Sequence, residues 1–282
     1  MAGEAVRRRS KHVLLVASAV LLLTPATMRP AEAQAPQSLA NRAAELYFDG
    51  RYAEAEPLFR QLLEANESAL GREHPTTLVS INDLGLLYYA LGRYAEAEPL
   101  FRRVLEARER MLGPDHADTL ESVNNLALIF YSRGRYAEAE PLYLRALEAS
   151  ERALGHSHLD TLSTVNNLAA LYQVQGRYAE AEALHLRALE ARERALGRDH
   201  LDTLNSANSL AALYLDQGRY AEAEPLFREV LEGRARSLGG EHPATLTSVN
   251  NLAALYGAQG RYAEAEPHYL RALETRGRVL GA

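Results

Sequence analysis

Apolar residues recur at spacings of three and four along most of this chain, which is the period of a helix with one buried face. In the segment 75–91 the apolar stripe consists of Leu78, Ile81, Leu84 and Tyr88. The next segment, 94–112, carries a stripe of the same period, made of Tyr94, Ala97, Leu100, Phe101, Val104 and Leu105. The pattern therefore predicts two amphipathic helices in succession.

Glycine and proline mark the ends of these two helices. Pro75 suits the first turn of a helix, where its missing N–H is not needed. Gly92 and Gly113 are expected just beyond the C-terminal ends, because glycine adopts left-handed backbone at little cost. Pro114 then prevents the second helix from continuing. Both helices thus have defined bounds.

One seven-residue motif, Gly-Arg-Tyr-Ala-Glu-Ala-Glu, occurs six times at intervals of 42 residues. Its copies begin at Gly50, Gly92, Gly134, Gly176, Gly218 and Gly260. A fixed period of this length is typical of an array in which each unit packs on its neighbours. The units are predicted at 36–72, 73–114, 115–156, 157–198, 199–240 and 241–282. Because the loops are short, we expect an all-α chain of six antiparallel helix pairs.

Residues 1–35 lie outside the array and are typical of a secretory signal peptide. Basic residues precede an apolar run at 13–23, and cleavage is expected after Ala33 or Ala35. A transmembrane anchor is the alternative, but this run is too short to cross about 30 Å of hydrocarbon. We therefore expect an exported bacterial protein, periplasmic or extracellular, that is not inserted in a membrane after cleavage.

Charge and composition exclude several functional classes. The chain carries a net charge of −6 and residues 1–35 carry +3, so the remainder carries −9. An acidic protein of this kind lacks the basic surface that nucleic acid or an anionic membrane attracts. The chain has no cysteine, which excludes disulfides, thiolate metal sites and a cysteine nucleophile.

The second and third units share an order of small and aromatic residues. In the second unit it is Gly85, Tyr88, Gly92, Tyr94, Ala97 and Phe101, and in the third Ala127, Phe130, Gly134, Tyr136, Ala139 and Tyr143. This order resembles the tetratricopeptide repeat (TPR), and the 42-residue length resembles the variant of kinesin light chains and many bacterial relatives. The resemblance covers about 245 residues, and it implies a right-handed superhelix (α-solenoid) that binds proteins or peptides.

One asparagine recurs in every first helix from the second unit onwards: Asn82, Asn124, Asn166, Asn208 and Asn250. By resemblance to the family this position lies on the concave face. A row of amides could pair with the backbone of an extended peptide. The alternative is that each asparagine bonds to the adjacent repeat and binds nothing. The residue directly after each of these asparagines is expected to make contacts between repeats. These residues are Asp83, Asn125, Asn167, Ser209 and Asn251.

Three tyrosines are further candidates for the concave face: Tyr47, Tyr89 and Tyr131. Aromatic side chains are common binding anchors, although burial against the next helix is an equal alternative. The repeated glutamates of the seven-residue motif are expected to form a solvated face.

Histidines recur in the loops between repeats: His74, His116, His156, His158, His200 and His242. We expect them to cap the loops, because copies on successive repeats are too far apart to share a metal ion. No catalytic constellation or phosphate-binding glycine loop is present either. We therefore predict a non-enzymatic protein without cofactor or metal that binds a protein or peptide partner.

The alternative function is a self-associating structural component of the cell envelope. Arrays of this type usually end in an additional polar helix, whereas here Leu270, Leu273 and Leu280 of the last helix would stay uncovered. A second copy could cover this face, so a homo-oligomer is the second expectation.

Overall fold

The computed structural model describes the backbone of residues 30–280 and the side chains of residues 38–275. Twelve α-helices and no strand occupy the described backbone. The first helices of the repeats are α1 (Pro30–Phe48), α3 (Pro75–Ala90), α5 (Ala117–Ser132), α7 (Leu159–Val174), α9 (Leu201–Asp216) and α11 (Pro243–Ala258). The second helices are α2 (Tyr52–Leu70), α4 (Tyr94–Leu112), α6 (Tyr136–Leu154), α8 (Tyr178–Leu196), α10 (Tyr220–Leu238) and α12 (Tyr262–Leu280). The predicted all-α fold of six helix pairs is confirmed.

The observed helix bounds follow the prediction closely except at the first helix. The α1 helix begins at Pro30, six residues before the predicted start of the first unit at residue 36, and passes through both expected cleavage positions. The added residues are mainly alanine, glutamine and glutamate, which have high helix propensity. The basic and apolar parts of the predicted signal peptide lie outside the described residues.

The described residues form two compact units, which divide between Leu142 and Tyr143 within α6. In the first unit, the consecutive helices α1, α2, α3, α4 and α5 pack on one another in order. In the second unit each helix from α7 to α12 packs on the next, and α9 also contacts α7 and α11. Within each unit, consecutive antiparallel helix pairs stack as a solenoid.

The glycine of the motif ends the first helix of each repeat. Gly92 has a φ of +74°, and its N–H donates to the carbonyl of Tyr89 at 2.9 Å. The N–H of Arg93 donates to the carbonyl of Tyr88 at 2.8 Å. These bonds satisfy the last carbonyls of the helix, so the predicted role of the glycine is confirmed.

Histidine side chains cap the N-termini of the first helices. In α3, Nδ1 of His74 accepts a hydrogen bond from the backbone N–H of Thr76 at 3.2 Å. The same bond forms in α5, α7, α9 and α11, from His116, His158, His200 and His242. An acceptor at this position satisfies one of the free N–H groups of the first turn. Capping is therefore confirmed for these five, whereas His156 lies beside Glu151 at 3.1 Å.

Small residues allow the two helices of a repeat to approach closely. A Cβ atom on Gly85 of α3 would lie 2.9 Å from Cε1 of Phe101 in α4. The equivalent residues of the second unit, Ala169, Ala211 and Ala253, are fully buried. A small residue is needed at Gly85, because a larger side chain would collide with the ring of Phe101.

Candidate peptide-binding face

Each recurring asparagine lies on a first helix, in α3 and α5 of the first unit and in α7, α9 and α11 of the second. In each unit, we call the side of these helices that carries the asparagines the first-helix face. Their burial differs between the two units. Asn82 and Asn124 of the first unit are 1% and 6% exposed. Asn166, Asn208 and Asn250 of the second unit are half-buried. A ligand can therefore reach the amides of the second unit more easily.

Two asparagine pairs join first helices of adjacent repeats through amide–amide hydrogen bonds, which we call rungs. Nδ2 of Asn125 donates to Oδ1 of Asn82 at 3.0 Å. Nδ2 of Asn251 donates to Oδ1 of Asn208 at 2.8 Å. The expected contact between repeats is thus confirmed for Asn125 and Asn251. At Asn82 and Asn208 the amide oxygen is already engaged by a neighbouring repeat.

The amide of Asn166 is held differently, because residue 209 is a serine. The hydroxyl of Ser209 donates to the carbonyl of Asn205 at 3.1 Å. Oδ1 of Asn166 is buried and has no hydrogen-bond partner. Its Nδ2 donates to Oγ of Ser206 across a long distance of 3.4 Å. No rung joins α7 to α9 in the described structure.

The three candidate tyrosines are more buried than binding anchors would be. Tyr47 and Tyr89 are 3% and 4% exposed, and Tyr131 is half-buried. Burial raises the pKa of Tyr89 to about 12, and the hydroxyl of Ser132 donates to its phenol oxygen at 3.3 Å. Tyr47 packs against Tyr52 with ring centroids 5.3 Å apart. Ligand binding by these rings stays a prediction.

Side chains one turn after each asparagine are larger in the first unit than in the second. In the first unit they are Leu86 and Leu128, both buried. In the second unit they are Ala170, Ala212 and Ala254, of which Ala254 is exposed. Residues four apart lie on the same side of a helix. Ala170 and Ala254 therefore leave space beside Asn166 and Asn250, whereas Ala212 beside Asn208 is buried.

The first-helix face carries no basic residue, since α3, α5, α7, α9 and α11 contain neither lysine nor arginine. Asp83, which occupies the position of Asn125 in the preceding repeat, is 5% exposed. Burial raises the pKa of Asp83 well above its ordinary value, the Glu121 carboxylate adds to this, and Arg108 opposes it. The surroundings of this carboxyl group therefore favour its protonated form.

Buried arginines of the second helices connect successive repeats. Nη1 of Arg108, Arg192 and Arg234 donates to the serine hydroxyl fourteen residues further on, at 2.9, 2.6 and 2.8 Å. Nη2 of Arg234 also donates to Oδ1 of Asn205 at 2.8 Å. We had not predicted this role. The recurrence of arginine and serine at a spacing of fourteen is the signal that could have revealed it.

Within each unit, the arginine of the motif joins a repeat to the one before it. Nη1 of Arg93 donates to Glu56 of the preceding repeat at 2.7 Å, while Nε and Nη2 donate to Glu96 at 2.6 Å. Its guanidinium lies over the ring of Tyr88, 4.4 Å from the centroid. Arg135, Arg219 and Arg261 form equivalent contacts. The prediction that the glutamates of the motif are solvated is therefore wrong for the last glutamate, because this arginine covers it.

One buried histidine replaces the aromatic core residue of α8. His185 occupies the position of Phe101 and Phe227 and is 1% exposed. Neither ring nitrogen has a hydrogen-bond partner, and burial lowers the pKa of this imidazole to about 4. It is an uncharged core residue.

Among the described residues, no three side chains of the metal-ligating types lie close enough to hold a metal ion. None of the described helices combines the length and the apolar composition that a bilayer-crossing segment needs.

Comparison with known proteins identifies the repeat. The model of the tetratricopeptide repeat family matches residues 35–110, 79–152, 118–173, 160–236 and 207–277. A putative kinesin light chain from Podosopora anserina with nearly identical TPR-like repeats is 28% identical, with a TM-score of 0.60 over 74% of this chain and 100% of that one. No curated protein matches significantly.

Two further structures share the fold at lower identity. BtubC (BKLC) from P. vanneervenii is 22% identical, with a TM-score of 0.62 over 86% of this chain and 93% of that one. NprR in complex with its cognate peptide NprX is 13% identical, with a TM-score of 0.64 over 96% of this chain and 78% of that one. Because overlapping family matches extend from residue 35 to residue 277 and the helix pairs stack as that family requires, this chain belongs to the tetratricopeptide repeat family.

Proposed function

We propose that this protein is a non-enzymatic scaffold that binds an extended segment of a partner protein on its first-helix face. The observation that carries this proposal is the row of half-buried asparagines in the second unit, Asn166, Asn208 and Asn250. An amide offers both a donor and an acceptor, which match the C=O and N–H of a peptide backbone. Ala170 beside Asn166 and Ala254 beside Asn250 leave room for that backbone.

The known proteins that share this fold support the proposal. NprR, which this chain resembles in fold, is bound to its cognate peptide. The repeat family in general provides a surface for protein recognition rather than a catalytic centre. The first-helix face fits this role, because its polar groups are amides and hydroxyls and its basic residues are absent.

Blocking the face with bulky side chains tests the proposal. A displayed library of random dodecapeptides would be selected on the full-length protein, and the affinity of the selected peptides measured by fluorescence anisotropy. We expect Ala170→Arg and Ala254→Arg to weaken binding at least tenfold, because each places a long side chain beside an asparagine. Arg194→Ala on α8, whose side chain is 74% exposed, is the control and should bind as the wild type does. Equal binding by all four proteins, or no selected peptide at all, would reject the proposal.

Self-association is the second candidate function, and the exposed face of α12 favours it. Leu270 and Leu273 are 48% and 70% exposed. The residues equivalent to Leu273 in α4 and α8, Leu105 and Leu189, are 7% and 9% exposed. Exposed apolar patches often mark interaction sites. Light scattering tests this candidate: a dimer that Leu273→Glu dissociates would support it, and a wild-type monomer at micromolar concentration would remove it.

We also propose that the protein is exported, because residues 1–35 have the order of segments of a signal peptide. Mass spectrometry of the protein recovered from its host should give an N-terminus at Gln34 or Pro36. An intact N-terminal segment in the cytoplasmic fraction would refute this.

A further inference from the structure

The missing rung in the second unit singles out one asparagine. Residues 43 apart form the two rungs of the described structure: Asn251 donates to Asn208, and Asn125 donates to Asn82. The residue that stands 43 positions after Asn166 is Ser209, which is too short to reach it and bonds to its own helix instead. Oδ1 of Asn166 is therefore left without a donor.

We propose that Asn166 anchors the backbone of the bound segment and that Ser209 keeps its amide available for this purpose. This inference rests on the proposed function, since it names the residue of the same face that holds the peptide. The ligand class is an extended polypeptide that donates a backbone N–H to Oδ1 and accepts from Nδ2. Such recognition tolerates any side chain at that position of the ligand, because only main-chain groups take part.

The contacts of the Asn166 amide allow it to change partner at little cost. Its Nδ2 bond to Ser206 is long, at 3.4 Å, and Oγ of Ser206 also accepts from Arg192 at 2.6 Å. Rotation about the terminal torsion of asparagine is soft. A turn of the amide towards the first-helix face exposes its oxygen and gives up only this weak bond. A buried acceptor without a donor is unfavourable, so binding a backbone N–H relieves a defect of the free protein.

The other asparagines with described rungs lack this freedom. Asn208 and Asn82 would each lose a hydrogen bond between repeats if the amide turned towards a ligand. Asn82 is in addition only 1% exposed and stands beside the larger Leu86. Asn166 is half-buried beside Ala170, so it combines an unengaged oxygen with space for a peptide.

A pair of substitutions at one position tests this. Ser209→Asn should close the rung to Asn166, as Asn251 does to Asn208, whereas Ser209→Ala removes the hydroxyl without supplying a donor. The probe is a fluorescein-labelled dodecapeptide selected on the wild-type protein from the random library. We expect Ser209→Asn to raise the melting temperature and to weaken peptide binding at least tenfold. Ser209→Ala should stay within about twofold of wild-type affinity, and Asn166→Ala should lose affinity as Ser209→Asn does.

Each result separates the inference from the proposed function. If Ser209→Asn is stabilised but binds the dodecapeptide as tightly as the wild type, the inference is wrong. If Ser209→Asn is not stabilised, the affinity of Asn166→Ala for the dodecapeptide decides between the outcomes. The inference is overturned if Asn166→Ala binds as tightly as the wild type, and it is upheld if Asn166→Ala binds tenfold more weakly. If Ala170→Arg and Ala254→Arg bind normally, the proposed function fails, because the peptide then binds elsewhere.

Discussion

Replacement of His185 by phenylalanine should stabilise the protein, and the gain should grow as the pH falls. Phenylalanine fits this site, because Phe227 occupies the equivalent position in α10 and is 1% exposed. Both nitrogens of the His185 ring lack partners, and an unsatisfied buried polar group costs about 1–3 kcal/mol. His185→Phe should therefore already be more stable than the wild type at neutral pH.

The pH dependence follows from the depressed pKa of His185. Burial lowers this pKa to about 4 in the folded protein, from an ordinary value of 6.5. The unfolded chain thus binds the proton more tightly than the folded chain does. The contribution of the neutral imidazole to stability is complete above pH 6.5 and is lost as the pH falls towards 4. The difference in pKa corresponds to about 3 kcal/mol at the acid end of this range.

Urea unfolding followed by circular dichroism, at several values of pH between 4 and 8, measures this effect. The free energy of unfolding of His185→Phe minus that of the wild type should rise on acidification by about 3 kcal/mol. Because all other ionisable groups are common to both proteins, only this difference is diagnostic. Tyr262→Phe is the control, since the side chain of Tyr262 is 72% exposed, and the difference between this variant and the wild type in free energy of unfolding should not change with pH. A constant difference for His185→Phe would refute the reasoning.

Three further predictions concern contacts within and between repeats. Asp83→Asn should raise the free energy of unfolding at pH 7, because burial keeps the pKa of Asp83 high. The neutral carboxyl stabilises the folded protein at low pH, and this contribution is lost as the pH rises. The gain in free energy of unfolding, measured with urea, should therefore be smaller at pH 4 than at pH 7. Arg219→Lys should lower the melting temperature, because lysine cannot stack on Tyr214 and bond to two carboxylates together; equal melting of the two proteins would contradict this. His74→Ala should lose about 1 kcal/mol of stability, since the N–H of Thr76 loses its cap, and His74→Asn should recover most of it.

Most of the fold could be predicted from the sequence because its signals are local. The spacing of Leu78, Ile81 and Leu84 predicts a helix, since side chains three and four apart share one side. Gly92 ends that helix because its own backbone is left-handed. His74 caps the start of the same helix through an atom only two residues away from its partner. None of these features depends on the other helices against which this helix packs.

The parts of the site that sequence reasoning missed depend on contacts between helices. In the sequence, the last glutamate of the motif cannot be distinguished from an ordinary surface glutamate. In the structure, the arginine of the next repeat covers it, as Arg93 covers Glu56. Tyr89 and Tyr131 are alike in sequence, but the structure buries the first more deeply than the second. Burial and pairing are set by the distance between surfaces, which a periodic pattern does not contain.

The sequence by itself therefore determined the class of the protein: a period of 42 residues, two helices in each period and the residues that begin and end them. Only the tertiary structure decided which polar groups pair across repeats. It showed that the rungs join residues 43 apart, that Ser209 interrupts them at Asn166, and that His185 is buried without a partner. The reason is physical, because helix formation is governed by neighbours along the chain, whereas hydrogen bonding and burial are governed by neighbours in space.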